Sequence, residues 1–488
     1  MIDKVIKKHD DYRLEFKFGY KMTPDEPITG YKIEMFFFIP NNLGMNRMTY
    51  GKDAFFTDMQ SHIRFITPVF LLENMTGKSD CPLDKLEKSI ADLLNRKGMS
   101  QFLNYKNQIK IFSSIYRSAL RDTVNYVRIH DLKEEDLATV VRGFIENSRR
   151  TLAEFRKLRD RTNVPLFSGS VFEHFLLADE YMSLMTERYS FELLSANEPK
   201  NSGNKEKIKE IVKEHIATEI NYRKERGYPS IVKADSNNEN LIHRIGVLKK
   251  YMASVLFLNA EIRSASYFLE QVIFFVAAGI AMLFATSIAF FSQVKYGTLT
   301  TPLFVILIIS YMFKDRIKEV TRTFLSKKIL TNVYDHSLKI RTSNEKHIGQ
   351  CKEGFDFMEE KKVPAEIMQL RNAERIEVLD NYRGGEKVFL YRKKIRIFSK
   401  RLTGQYFNYG VEGLNDILRY NVKRLLEKMD DPEKKMTVIE NGKFQTVTGE
   451  RVYQFYIICK FIDKKGEDAY NRYRIVLNRN GIQRVEAV

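Results

Sequence analysis

Four ionisable residues in the stretch "EHFLLADE" are the best candidates for chemistry in this sequence. They are Glu173, His174, Asp179 and Glu180. Carboxylates beside a histidine can transfer protons or hold a metal ion. A metal site needs further ligands and supporting partners, and none follows here at helical spacing. We therefore interpret His174 as a hydrogen-bonded histidine on a charged helix, and keep the four residues as the candidate site of an alternative, enzymatic function.

A second histidine, His215, lies among glutamates in "KEKIKEIVKEHIATE". Its spacing from Ile208, Ile211 and Thr218 places it on the apolar stripe of a helix, while the Glu and Lys residues alternate on the exposed side. The pattern predicts a buried histidine rather than a metal ligand or a catalytic base.

Common catalytic and cofactor motifs do not occur in the sequence. There is no GxxxxGKS or GxxxxGKT phosphate loop, no GxSxG elbow and no HExxH zinc motif. Cys81, Cys351 and Cys459 are far apart, which argues against a disulfide framework and a structural zinc site. We expect no cofactor and no metal, and the sequence leaves open whether the protein is an enzyme.

The end of the chain is strongly basic. Residues 384–488 contain 22 Lys and Arg against 13 Asp and Glu, an excess of 9 that is half of the net charge of +18. Four residues of "YRKKIRIFSKR" are candidates for binding an anionic partner: Arg392, Lys393, Lys394 and Arg396. Anionic lipid, an acidic protein surface and single-stranded nucleic acid all fit such a segment.

Two uncharged runs predict membrane-spanning helices. Gln271 to Val294 contains no ionisable residue, and a second run extends from Tyr296 to Phe313. A helix needs about 20 apolar residues to cross a hydrocarbon core of about 30 Å, so the first run is long enough and the second is at the short end. We predict a two-helix transmembrane hairpin with spans at about 271–294 and 296–313.

Basic residues flank this hairpin on both sides, whereas the connecting loop contains only Lys295. By the positive-inside rule, both flanks face the cytoplasm. Both termini and most of the chain are therefore expected in the cytoplasm, with a bacterial inner membrane as the expected location. The N-terminus lacks an apolar run, so no cleavable signal peptide is expected.

Alanine recurs at every fourth residue of the first span, at Ala277, Ala281, Ala285 and Ala289. Residues four apart share one helix face, and small side chains there allow a second helix to approach closely. This face predicts helix packing, either with the second span or with another copy of the chain in a homo-oligomer.

An apolar seam precedes the first span. Its positions recur at alternating spacings of four and three: Leu241, Ile245, Leu248, Met252, Val255, Asn259 and Ile262. Such spacing is typical of a coiled coil. We predict a stalk helix that continues straight into the membrane, paired with the helix after the second span or with another copy.

The hydrophobic period divides the rest of the chain. Alternation in "YRLEFKF" and "YKIEMFFFIP" predicts a small β-sheet within residues 1–80. Helical periodicity predicts a cytoplasmic bundle over 81–239, and the stalk and hairpin occupy 240–341. A helical linker is expected over 342–383, followed by a basic α+β domain over 384–488.

The expected C-terminal domain contains one helix and several strands. "KVFLYRKKIRIF" predicts a strand, and turn signals such as "ENGK" and "NRNG" separate later strands. An amphipathic helix is predicted from apolar residues spaced three and four apart: Leu414, Leu418, Val422, Leu425 and Met429.

These features together predict an α+β, mainly α-helical integral membrane protein. The expected function is that of a membrane-anchored scaffold, recruitment or regulatory protein. Its expected partners are the bilayer with its anionic cytoplasmic leaflet, further copies of the chain and a cytoplasmic protein. The alternatives are a membrane-tethered enzyme acting on a lipid or polyanionic substrate, and a membrane-tethered nucleic-acid-binding protein.

Overall fold

The computed structural model describes most of the chain. The described ranges are 2–22, 26–130, 132–195, 204–234, 236–297, 300–329, 333–342, 345–373, 385–402, 410–440, 442–462 and 468–488. The fold is a mixed α+β fold with two compact units. We call them the sheet unit, made of Met1–Ile63, Leu258–Leu402 and Gly413–Val488, and the helical unit, which contains Arg64–Phe257 and a short later segment.

The strands are listed here in chain order. They are β1 (Ile2–Asp10), β2 (Arg13–Lys21), β3 (Thr29–Pro40), β4 (Met59–Phe65), β5 (Asn259–Ser264), β6 (His336–Arg341), β7 (His347–Met358), β8 (Glu386–Ile397), β9 (Gly413–Asn421), β10 (Glu433–Glu440), β11 (Lys443–Glu450), β12 (Tyr453–Ile462), β13 (Asp468–Asn478) and β14 (Gly481–Ala487).

Two sheets pack face to face in the sheet unit. The larger has eight strands in the order β14-β13-β12-β3-β8-β7-β6-β5, and the smaller has four in the order β1-β2-β9-β4. Strands β10 and β11 form a separate hairpin. The core between the sheets is rich in aromatic rings: Phe16 lies 6.4 Å from Phe37, and Phe18 lies 5.6 Å from Phe461, between ring centroids. Each such buried ring stabilises the unit by about 2–3 kcal/mol.

The N-terminal strands lie where alternation predicts them, but they do not form a sheet of their own. Strand β2 pairs with β9, and β3 lies between β8 and β12. Residues of Met1–Ile63 and Gly413–Val488 therefore build one unit, whereas the sequence predicted separate N-terminal and C-terminal domains. Strands that pair over such long sequence separations leave no local sequence pattern from which the pairing could be predicted.

Two predicted helical segments are partly strands, although a short helix, Ala365–Asn372, follows Pro364 within the first and another, Lys423–Leu426, contains Leu425 of the second. Strand β7 occupies much of the expected linker at 342–383, whose residues 374–383 lie outside the described part of the chain. Strand β9 contains Leu414 and Leu418, which were expected in a helix. The error has a physical reason: residues four apart share a face in a strand of period two as well as in a helix.

The helical unit is a bundle of packed helices. Helix α1 (Lys52–Asp58) belongs to the sheet unit. The helices of the helical unit are α2 (Pro82–Arg96), α3 (Met99–Ile129), α4 (Glu134–Arg156), α5 (Arg159–Thr162), α6 (Ser170–Ser195), α7 (Asn204–Glu225) and α8 (Glu239–Ala253). Helix α3 packs against α2 and α6, and α7 packs against α6. The buried faces of α3 include Ile109, Phe112 and Tyr116, as their spacing predicts.

The predicted stalk helix is interrupted. Helix α8 ends at Ala253, and its buried Leu248 and Met252 belong to a helix that packs against α3 and α6. Asn259 and Ile262, the last two positions of the predicted seam, lie in strand β5. A continuous coiled coil leading into a membrane is therefore wrong for this segment, because strand pairing with β6 replaces the helix.

The sheet unit also carries a long pair of helices between two paired strands. Helix α9 (Tyr267–Tyr296) follows β5, and α10 (Thr301–Ile329) precedes β6. The remaining helices are short: α11 (Ala365–Asn372), α12 (Ser399–Leu402) and α13 (Lys423–Leu426). Helix α11 packs on the outer face of the large sheet: its Ile367, together with Val363 just before the helix, packs in a cluster with Phe36 and Val388.

Candidate membrane-contacting surface

Helix α9 exposes large apolar side chains along its whole length. Six of them are exposed by 70% to 88%: Phe268, Phe275, Leu283, Phe290, Phe291 and Val294. At about 100° per residue, the exposed positions cover roughly half of the helix circumference. The first part of α10 continues this surface with exposed Phe304, Tyr311, Met312 and Phe313. Exposed apolar patches of this extent mark interaction or membrane surfaces.

The alanine face of α9 packs against α10. Ala277 and Ala281 are fully buried, Ala285 and Ala289 are half-buried, and α10 is the helix that packs on α9. Small side chains on this face let the two backbones approach closely. The first of the two predicted roles, packing within the hairpin, thus accounts for the burial, and contact with another copy stays a prediction.

Helix α9 is the one helix, among the described residues, that is long and apolar enough to cross a membrane, with a mean hydropathy of 2.4. The predicted two-span hairpin is not supported, because α10 begins only at Thr301 and its charges begin at Lys314. Its uncharged part from Thr301 to Phe313 amounts to about 20 Å of helix, less than the hydrocarbon core of about 30 Å.

The two ends of the helix pair lie side by side. Ser264 at the end of β5 pairs with His336 at the start of β6, and the backbone N–H of Ala265 donates to the carbonyl oxygen of Asp335 at 2.9 Å. The chain therefore leaves the large sheet and returns to it at one place. Along the hairpin, the guanidinium of Arg322 lies 3.9 Å from the ring centroid of Phe274, so the charged half of α10 lies beside the first turns of α9.

The four basic candidates of β8 do not share one surface. Lys393 is buried, Arg392 and Lys394 are half-buried, and Arg396 is exposed. Successive residues of a strand point to opposite faces, which places Lys393 in the core and the other three on the outer face. Their binding of an anionic partner stays a prediction, but the Lys393 side chain is not at the surface.

Lys393 is the centre of a buried polar cluster that sequence reasoning missed. Its Nζ lies 2.8 Å from Oε1 of Glu353 and 2.7 Å from Oδ2 of Asp416, and it donates to the Ser61 hydroxyl at 2.9 Å. Burial lowers the pKa of Lys393, but the charges of Asp416 and Glu353 outweigh burial and raise the pKa above its usual value. The cluster binds the sheets together; it has no opening to solvent at Lys393 or Asp416.

The four residues of "EHFLLADE" are held by different partners. Glu173 is exposed, whereas His174 is half-buried. The Nδ1 atom of His174 shares a hydrogen bond of 2.9 Å with the Tyr251 hydroxyl, and the imidazole ring stacks on Phe102. Burial, followed by the charges of Lys106 and Lys110, lowers the pKa of His174 to about 4. A hydrogen-bonded histidine on a charged helix is what the sequence predicts for this position.

Asp179 and Glu180 are buried, and each forms an ion pair with an arginine. Asp179 accepts from Arg156 at 3.1 Å and from the hydroxyls of Tyr222 and Tyr228 at 2.6 and 2.8 Å. Glu180 accepts from Arg244 at 2.7 Å. These carboxylates stabilise the packing of α6, and the arrangement does not unite them with Glu173 and His174 in a catalytic site.

His215 is buried, as its helical spacing predicts. The guanidinium Nε of Arg149 can only donate, so Nδ1 of His215 accepts from it at 3.4 Å. The other ring nitrogen, Nε2, then carries the proton and donates to the Ser148 hydroxyl at 3.0 Å. Burial lowers the pKa of His215 to about 4, against the opposing charge of Glu219, and keeps the ring neutral.

No group of three or more His, Cys, Asp or Glu side chains in the described part of the chain could hold a metal ion. Comparison with protein-family models, with curated proteins and with solved structures gave no match. Function is therefore inferred from the chain's own residues, of which the apolar surface of α9 and α10 is the most unusual feature.

Proposed function

We propose that the protein is a membrane-anchored scaffold or recruitment protein whose anchor is the helix pair α9–α10. One observation carries the proposal: large apolar side chains are exposed on every part of α9 that does not face α10. Leaving each of them in water would cost about 1.5–3 kcal/mol relative to burial. A lipid environment removes this cost, and a helix satisfies its own backbone hydrogen bonds there.

A bilayer fits this surface better than a single protein partner does. A helix that docks on one protein surface presents an apolar stripe, whereas the exposed positions of α9 cover about half of the circumference. The uncharged length of α9, from Gln271 to Val294, corresponds to about 36 Å, enough for a hydrocarbon core of about 30 Å.

In the proposed arrangement α9 crosses the bilayer and the chain returns along α10. The return is required because β5 and β6 are paired, so both ends of the hairpin start from one side. The connection between the helices then lies in water on the far side, where irregular backbone is tolerated. Arg322 lies level with Phe274, three residues inside the uncharged run of α9, and Lys314 lies about 12 Å further along the hairpin. Lys314, Arg316 and Lys318 must therefore reach the near-side headgroups with their flexible side chains and a locally thinned bilayer.

The sheet and helical units are proposed to lie on the side of the basic flanks, which is the cytoplasmic side by the positive-inside rule. Both termini are then expected in the cytoplasm, with a bacterial inner membrane as the proposed location. The proposal of a scaffold rather than an enzyme is supported by the structural roles found for His174, Asp179 and Glu180.

Alkaline carbonate extraction of membranes containing the full-length chain tests the anchor. The test variant carries Ile280→Arg and Leu283→Arg, at exposed positions in the middle of α9. Each arginine at the centre of a span costs about 2.5–3.5 kcal/mol, so the variant should move from the pellet to the soluble fraction. The matched control carries Val320→Arg and Phe324→Arg, equally exposed on the charged half of α10, and should stay in the pellet.

Two results would count against the anchor. One is extraction of the wild-type chain by carbonate. The other is equal retention of the α9 variant and the control, because arginines in the hydrocarbon core should matter more than arginines beside the headgroups.

A further inference from the structure

A row of basic residues crosses the large sheet on its outer face. In the strand register, Lys32 of β3 is opposite Lys394 of β8, which is opposite Lys352 of β7. The row continues through Ser337 of β6 to Arg263 of β5. Residues directly opposite in antiparallel strands point to the same face, so the row spans five strands and about 19 Å.

The outward direction of this row follows from its neighbours. Lys393, one residue before Lys394, points into the core, so Lys394 points out. Lys352 is exposed, and the Arg263 side chain is 57% exposed. Two residues further along the strands, Lys339 and the exposed Arg396 lie on the same face.

This arrangement costs stability, and the lysines in the middle of the row have no internal compensation. Like charges directly opposite on neighbouring strands are destabilising. Lys32 pairs with Glu34 at 2.7 Å and Arg263 pairs with Glu261 at 2.5 Å. Among the described residues, no acidic side chain forms an ion pair with Lys352, Lys394 or Arg396. Helix α11 packs on Phe36 and Val388, further along the same face.

We infer that this surface, which we call the basic face (Lys32, Arg263, Lys352, Lys394 and Arg396), binds the anionic phospholipid headgroups of the leaflet around α9. The inference rests on the proposed anchor. It is supported by continuity, because Arg263 lies at the end of β5 and α9 begins shortly after it at Tyr267. Arg263, at the start of the row, is therefore held next to the leaflet, whose charge acts within about 10 Å.

A nitroxide at Ser337→Cys tests this inference in the full-length chain. Ser337 lies in the row between Arg263 and Lys352, and the native cysteines are buried, which keeps background labelling low. The chain is reconstituted in vesicles of pure phosphatidylcholine or with added phosphatidylserine, and the access of a water-soluble nickel relaxant to the nitroxide is measured. Phosphatidylserine should lower access at least about twofold, and high salt should reverse the effect.

A pair of matched variants assigns the effect to the basic face. Lys32→Gln, Lys352→Gln and Lys394→Gln together should abolish the dependence on phosphatidylserine. The control changes Lys434, Lys435 and Lys443 to Gln on the exposed β10–β11 hairpin and should keep it. Both variants remove the same charge, so a difference between them reports position and not net charge.

The outcomes separate the inference from the anchor. Equal nickel access in both lipids, in a chain that resists carbonate extraction, would overturn the inference and leave the anchor standing. Extraction from pure phosphatidylcholine vesicles would count against the anchor, and with it against this inference. Protection of the nitroxide by a single-stranded oligonucleotide, but not by phosphatidylserine, would overturn the lipid assignment in favour of nucleic acid.

Discussion

The Nζ atom of Lys393 lies 2.7 Å from Oδ2 of Asp416, and neither side chain is exposed to solvent. Lys393 belongs to β8 of the large sheet and Asp416 to β9 of the small sheet, so this ion pair joins the sheets inside their common core. A buried ion costs several kcal/mol unless it is paired. Any sliding of one sheet over the other would therefore leave a charge unpaired.

Replacing Lys393 should destabilise the sheet unit strongly. Lys393→Met keeps the apolar stem but leaves Asp416 and Glu353 buried without their cation. The expected loss in the free energy of unfolding is about 3–5 kcal/mol. Denaturant unfolding of the detergent-solubilised chain measures it.

The adjacent lysine provides the control for this prediction. Lys394→Met changes the same residue type one position along β8 but on the outer face, and it should alter stability by no more than about 0.5 kcal/mol. Similar effects of the two substitutions would show that the buried pair does not hold the sheets together.

Acid should destabilise the helical unit through His215. Burial lowers its pKa from 6.5 to about 4, so between these values the unfolded chain binds more protons than the folded chain. The contribution is complete above pH 6.5 and is lost as the pH falls toward 4. The loss is on the order of 3 kcal/mol, measured as the free energy of unfolding against pH.

Removing the imidazole isolates this contribution. His215→Gln should flatten the stability profile between pH 6.5 and 4, and Gln can still hydrogen-bond to Ser148. His243→Gln, at an exposed position of α8, is the control and should leave the profile unchanged. An unchanged profile in the His215 variant would mean that other groups cause the acid sensitivity.

The alanine face of α9 should respond to larger side chains by loosening the hairpin. Ala277→Leu and Ala281→Leu place added volume where both residues are fully buried, and overpacking costs about 1–3 kcal/mol. The same changes at half-buried Ala285 and Ala289 should cost less. Thermal unfolding of the solubilised chain compares the two pairs.

The mass of the same variants distinguishes packing within the chain from packing between copies. If the alanine face packs on α10 alone, the mass in detergent should not change when Ala277 and Ala281 become leucine. A wild-type oligomer that dissociates in this variant would instead assign the face to contact between copies.

Elements with a strong local period could be predicted from the sequence. The alternation of "YRLEFKF" gave strand β2, and the apolar stripe around Phe112 gave helix α3. His215 was placed correctly in the core by its helical spacing. In each case the pattern that determines burial lies within one element, so no knowledge of the partners is needed.

Features that depend on pairing could not be predicted in this way. The Lys393 cluster unites residues from β4, β7, β8 and β9, which are far apart in the chain. The one available signal is the alternation of β8, which separates Lys393 from Lys394 once a strand is assumed. The last positions of the predicted stalk form a strand instead, because pairing of β5 with β6 overrides a helical pattern.

The most direct test of the membrane anchor is the side on which the tip of the hairpin lies. A cysteine replaces exposed Lys295 at the end of α9, in vesicles whose proteins expose both termini to the outside, and a membrane-impermeant maleimide is added. Thr446→Cys on β11 serves as the outside control. If α9 crosses the bilayer, the control reacts at once and the cysteine at 295 reacts only after detergent is added. Equal reaction of both before detergent would contradict a transmembrane α9.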